Sequence, residues 1–164
     1  MPPTLVIETG AGLSNANVFE SRADLTTRLE AMPFADAWGD VDELAQDQYN
    51  IEACAIITRM AWDGIATFSH QSLAFPRAWL CRPDGYAIAS NLIPEWLKDG
   101  AARLAFWLSQ QDGSPYNGNG LEPRTELTLA SGMRLTPASR PSIPSDVRDL
   151  FRPYVRSGRT TVRG

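Results

Sequence analysis

Histidine occurs once in these 164 residues, at His70, lysine once, at Lys98, and cysteine only twice, at Cys54 and Cys81. One imidazole cannot build a His-rich metal site, and a single loop histidine reads as a loop residue rather than as part of a Ser-His-Asp triad. Two isolated cysteines with scattered acids lack zinc-ligand spacing, and no Asp-x-Asp-x-Asp-Gly run suggests calcium. Cys54 falls on an apolar helical stripe, so it reads as a small buried hydrophobe in a reduced compartment. No apolar run reaches 18 residues and no basic stretch leads into one, so neither membrane spanning nor secretion is expected. Gly10-x-Gly12 lacks the third glycine and the lysine of a nucleotide loop. The expectation is therefore a protein with no catalytic step, no metal and no cofactor.

What the chain does have is an uneven charge. Its 15 basic and 19 acidic residues give a net of -4, against a protein that coats nucleic acid indiscriminately. Residues 1–121 hold seven basic residues against fifteen acids, whereas residues 122–164 hold eight arginines against four acids. An acidic body with an arginine-only tail suggests that the tail meets something anionic, either a protein surface or nucleic acid; a solvated tail is the plainer alternative.

The periodicity predicts a mainly α fold: a small helical bundle with a long loop between its main helices. An extended C-terminal arm would carry short β-strands and a short terminal helix. Leu5-Val-Ile-Glu is a β-prone run within an extended segment 1–19. Ser21, with Asp24 three residues on, caps a first helix that Pro33 ends. A second helix should run from about 42 to 62, with Tyr49, Ala53, Ile56, Ile57 and Met60 on one face and Gly64 as its stop. Pro94 opens a third, with Ile93, Leu97, Ala101, Leu104, Ala105 and Leu108 on one face and Trp96, Arg103 and Trp107 on another. Apolar residues on two faces imply burial or contact with a neighbouring subunit, and the pattern leaves both open. The helical body thus covers 20–111, and Asp-Gly-Ser-Pro-Tyr-Asn-Gly-Asn-Gly marks a linker at 112–123. In the arm, 124–164, the alternation of Thr125, Leu127 and Leu129, then Met133 and Leu135, reads as one or two strands available for a hairpin or for β-augmentation of another protein. Ser145 opens a short helix with Val147, Leu150 and Phe151 on one side.

The acids Asp40, Asp42, Glu43 and Asp47 cluster at a helix start, where the helix dipole accounts for them. The five tryptophans, with Phe68 and Phe75, could stack on bases, but in an acidic body they read as core and interface aromatics.

Several of these stretches resemble one family in order and approximate spacing. Leu5-Val-Ile-Glu-Thr-Gly-Ala-Gly-Leu-Ser-Asn-Ala-Asn is similar to the V-E-x-G-x-G-L-x-N-A-N-S opening of tailed-phage head-tail connector (adaptor) proteins, also catalogued as DnaT-like single-stranded DNA-binding proteins. The helix Glu52-Ala-Cys-Ala-Ile-Ile-Thr-Arg resembles E-A-A-L-I-R-A-T, and Ser72-Leu-Ala-Phe-Pro-Arg resembles Q-A-L-A-W-P-R. Asp84-Gly85, Ile93-Pro94 and a closing Val147-x-x-Leu-Phe-x-Pro-Tyr-Val-Arg, similar to V-x-x-L-L-x-P-Y-L, complete the series. Phe75 stands where the pattern has tryptophan, Val18-Phe19 where it has Ser-Tyr, and the linker is Gly-Asn-rich.

The resemblance implies a structural protein of the virion neck, at the capsid-tail junction, assembled from the host cytoplasm as a ring of twelve copies beneath the portal protein. Such a ring extends the channel for genomic double-stranded DNA and carries the next neck or tail-completion protein. It meets no membrane. On this reading Leu127, Leu129, Leu150, Phe151 and Tyr154 supply apolar contacts to the portal, while Arg148, Arg152 and Arg156 pair with its acids. Phe75, Pro76, Arg77, Trp96, Arg103 and Trp107 brace the body or form the ring interface. The alternative is a single-stranded DNA-binding protein of primosomal type, in which arginines and aromatics hold the strand.

Overall fold

Ser21 does start the first helix, α1 (Arg22–Glu30): its hydroxyl accepts the Asp24 backbone N–H at 3.1 Å and donates to the Asp24 carboxylate at 2.6 Å. The computed structural model describes residues 3–111 and 143–156. After a 3-10 turn at Asp36–Asp40 follows α2 (Glu43–Thr58), capped by Asp42, whose side chain accepts from Leu44 N. Two two-residue strands, β1 (Ile65–Ala66) and β2 (Arg77–Ala78), pair antiparallel with Ile65 opposite Ala78. Then come α3 (Glu95–Ser109), α4 (Ser145–Phe151) and a 3-10 turn at Arg152–Tyr154. Among the described residues the architecture is mainly α, four helices with one small sheet.

α3 is the central element and packs against α1, α2 and α4. Leu97, Ala101, Leu104, Ala105 and Leu108 are fully buried on it, meeting Leu25 and Leu29 of α1 and Ala53, Cys54 and Ile57 of α2. The small residues Gly100, Ala101, Ala102 and Ala105 let neighbours approach closely. An added Cβ at Gly100 would overlap the Phe151 ring of α4.

α2 ends at Thr58, about four residues short of the expected end. The Trp62 indole N–H turns back and donates to the Ile57 carbonyl at 2.7 Å, so a side chain takes a helix-end acceptor that a further turn would have used. Gly64 therefore lies beyond the helix, with φ +68, at the start of the sheet.

The N-terminal segment is packed, not loose. Ala16, Val18 and Phe19 are buried, and the Glu8 carboxylate accepts the backbone N–H groups of Gly10, Gly12 and Leu13 at 2.8–2.9 Å. The Gly-x-Gly turn thus encloses an acid of its own chain. Gly10, at φ +100, lies so near the Asn91 carbonyl that a Cβ would overlap its oxygen.

The separate docking arm needs correction for residues 143–156. Val147 and Phe151 are fully buried and Tyr154 nearly so, and the Tyr154 ring stacks on Trp96 at 3.9 Å with parallel planes. α4 exists where the apolar spacing placed it, with Pro144 rather than a capping side chain before it, yet it completes the body's core. The reason is the small-residue stripe of α3, which leaves room for a ring. Leu127, Leu129 and the expected strands lie outside the described residues.

Candidate nucleic-acid interface

The periodicity that sends Val147, Phe151 and Tyr154 inward turns Arg148, Arg152 and Arg156 outward. These three exposed arginines, four residues apart, share with Met60, Asp149 and Val155 the walls of a groove of about 380 Å³. The side chains of Arg148 and Arg152 have no ion-pair or hydrogen-bond partner among the described residues. Arg156 is held at the groove's end: its backbone N–H donates to Ala61 O, its Nη2 reaches Gly64 O at 3.5 Å, and its Nε lies 3.7 Å from Asp63 Oδ1.

Most other cations among the described residues are neutralised locally. Arg22 meets Glu43 and Asp47, Arg82 meets Asp84, Lys98 meets Glu95, and Arg103 meets Asp146 at 3.3 Å while lying over the Phe34 ring. Arg28 bridges α1 and α3 by pairing with Glu20, Glu95 and Asp99. Burial opposes its charge, but hydrogen bonds to Glu95 and Asp99 outweigh burial and hold its pKa above the ordinary value. A larger groove, about 720 Å³, runs past Glu20, Asp24, Arg28, Asp99 and Arg103. Its carboxylates already answer its cations, so it offers an anion little.

Arg77 is spent differently. Its guanidinium donates to the carbonyls of Asp63, Gly64 and Ala74 at 2.7, 2.9 and 3.2 Å, tying the Phe75-Pro76 loop to the end of the α2 segment. Burial, and after it the nearby charge of Arg156, lowers its pKa. Phe75, joined to Pro76 by a cis peptide bond, is buried beside Phe19, Trp62 and Trp96, and Pro76 is buried with it.

Of the residues assigned to portal contact, Phe151 and Tyr154 are corrected to core positions and Leu150 to a half-buried flank of that core. Burial withdraws Phe151 and Tyr154 from the surface. Arg148, Arg152 and Arg156 do share one exposed face. Of the residues assigned to bracing or ring contact, Phe75, Pro76, Arg77 and Trp96 meet within the body, Arg103 links α3 to α4, and Trp107 is half-buried at the core's edge. His70 lies beside the Phe68 ring, away from the arginine groove. Among the described residues no group of three His, Cys, Asp or Glu side chains is placed to hold a metal, and no helix is long and apolar enough to cross a membrane.

The reading of all tryptophans as core or interface missed Trp79, which is 83% exposed. Nothing local in the sequence marks it, since its exposure follows from a left-handed backbone at φ +60 that turns it away from the buried Phe75-Pro76 pair. Glu8 was missed as well, a buried acid whose cue was the pair of glycines just after it.

Fold and site together define a small helical protein that, among the described residues, carries an exposed row of arginines on an otherwise acidic body. A family model described as "Putative DnaT-like ssDNA binding protein" matches residues 3–162, and the chain belongs to that family. Neither the comparison with curated proteins nor that with solved structures gives a match. The family match bears on the DnaT-like side of the resemblance and not on the head-tail connector side.

Proposed function

We propose that the chain binds single-stranded DNA along the row Arg148, Arg152 and Arg156, without a catalytic step. The observation that carries this reading is the contrast between Arg148 and Arg152, exposed and without a side-chain partner among the described residues, and the ion-paired cations elsewhere on the body. The family description, which names single-stranded DNA, points the same way. An acidic body keeps the contact local, so binding should be modest in strength and steep in salt. For single strands each neutralised phosphate adds about 0.7 to the slope of log K against log salt, so three arginines predict a slope near ~-2 from this row alone.

Fluorescence anisotropy of a labelled oligo-dT across a salt series tests it. Arg148→Ala and Arg152→Ala should each flatten the slope by about 0.7, and an oligonucleotide that fails to bind the full chain at low salt would sink the reading.

A second reading is the head-tail adaptor, with a ring on the portal and the arginine row paired to portal acids. One observation favours it: Phe34, Leu44, Ile65 and Leu92 are large apolar side chains 42–52% exposed, surface that ring neighbours would cover. Electron microscopy of the chain mixed with its portal separates the two. Rings on the portal together with no oligonucleotide affinity select the adaptor.

A further inference from the structure

Trp79 is the most exposed of the large apolar side chains described, and its backbone sits at φ +60. A bulky side chain in the left-handed region is uncommon, and this one gains no compensating burial and makes no ring contact among the described residues. The other aromatic clusters have found partners within the body: Trp62 and Trp96 lie among Phe75, Phe151 and Tyr154. Trp79 has the opposite surroundings.

Its position is fixed by Gly64. With no Cβ there, the Ala78 carbonyl and the Trp79 backbone close over the glycine, and a side chain would overlap that carbonyl oxygen. The carbonyl of the same Gly64 accepts from Arg77 Nη2 and from Arg156 Nη2. The Trp79 backbone and the last arginine of the row therefore both touch Gly64. Beside them Ile65, paired opposite Ala78, adds half-exposed apolar surface. An exposed indole carried on a backbone that touches the same glycine as Arg156 suits a ligand that alternates planar rings with negative charges.

We infer that Trp79 is a base-stacking platform, on which a base of single-stranded nucleic acid lies while the neighbouring phosphates run along Arg156, Arg152 and Arg148. This rests on the DNA-binding reading above and adds the residue that reads the base. Charge complementarity selects the occupant: a purely apolar protein surface would leave Arg148 and Arg152 unanswered.

The test uses the full chain with oligo-dT and with an equally long oligonucleotide of abasic spacers. Base-aromatic stacking predicts that Trp79→Ala weakens oligo-dT binding about 5- to 150-fold with the salt slope unchanged, that Trp79→Phe keeps most of the affinity, and that the abasic strand binds wild type and Trp79→Ala alike. Arg152→Ala, in contrast, should weaken both strands and flatten the slope. If Arg152→Ala is impaired while Trp79→Ala binds oligo-dT like wild type, the platform is wrong and the arginine reading stands. If wild type binds neither strand, both fall. Equal losses on the two strands, or loss of self-association without loss of DNA binding, would also overturn the platform, in favour of a role in the fold or in copy-to-copy contact.

Discussion

Glu20 is a carboxylate placed where a carboxylate is costly. Its side chain is only 4% exposed, one oxygen accepts from Arg28 Nε at 3.2 Å, and the other is buried without a hydrogen-bond partner among the described residues. Burial outweighs the pull of Arg28 and pushes its pKa from 4.5 up to about 7. Between those two values the folded chain keeps a proton that the unfolded chain has released, so stability falls as pH rises across the window. At about 1.4 kcal/mol per pKa unit the loss is on the order of 3 kcal/mol. Thermal melts from pH 5 to 7.5 should show this decline, and Glu20→Gln should flatten it; a wild-type Tm that climbs over the range would mean that Arg28 wins. Cys54 behaves oppositely to Cys81. Burial pushes the Cys54 thiol up to about 12, whereas Cys81 is exposed, so a thiol reagent at pH 8 should label one cysteine quickly and the second only on unfolding. Two fast thiols would contradict the packing of α2. Cys54 was legible in the sequence because its helical stripe is apolar. Glu20 was not, because nothing around it says which of many acids the fold encloses.

At the scale of elements, the contact of α3 with α4 decides the sign of a common substitution. Gly→Ala within a helix ordinarily stabilises by about 1 kcal/mol through propensity. At Gly100 the new methyl would overlap the Phe151 ring, and overpacking of this kind costs about 1–3 kcal/mol, so Gly100→Ala should be net destabilising. Urea denaturation reads it, and paired with Phe151→Leu the Gly100→Ala change should lose much of its penalty. An unchanged midpoint for Gly100→Ala alone would show that the ring has room to move. The starts of α1 and α2, the buried face of α3 and the existence of α4 could all be read from caps and apolar spacing. Those signals are local. The early end of α2 could not, since it depends on Trp62 reaching back to Ile57, and the pairing of Trp96 with Tyr154 depends on residues more than fifty apart.

For the whole molecule, the charge division suggested a body and a separable arm, and that suggestion fails for 143–156. Composition reports where arginines are, whereas the buried rings between them decide where the segment packs. Removing residues 143–164 should therefore not leave an intact body. Losing Phe151 alone from a core costs about 3–5 kcal/mol by large-to-small precedent, a large part of the stability of an ordinary domain. The truncated chain should melt at a markedly lower temperature by circular dichroism, or not fold; a truncation with the full-length Tm would restore the free arm. A shorter deletion that keeps 143–156 separates DNA or portal binding from folding.

The cluster of Trp62, Phe75, Trp96, Phe151 and Tyr154 has a consequence for synthesis. Its rings are contributed by four stretches of chain, the last of them near the C-terminus. A ribosome that has made α1, α2 and α3 has released three helices with the heart of their core still missing two rings. Because such distant contacts form only after their sequence is available, this cluster can close only once Tyr154 has left the exit tunnel. The arginine row thus takes shape in the same event that closes this cluster of rings.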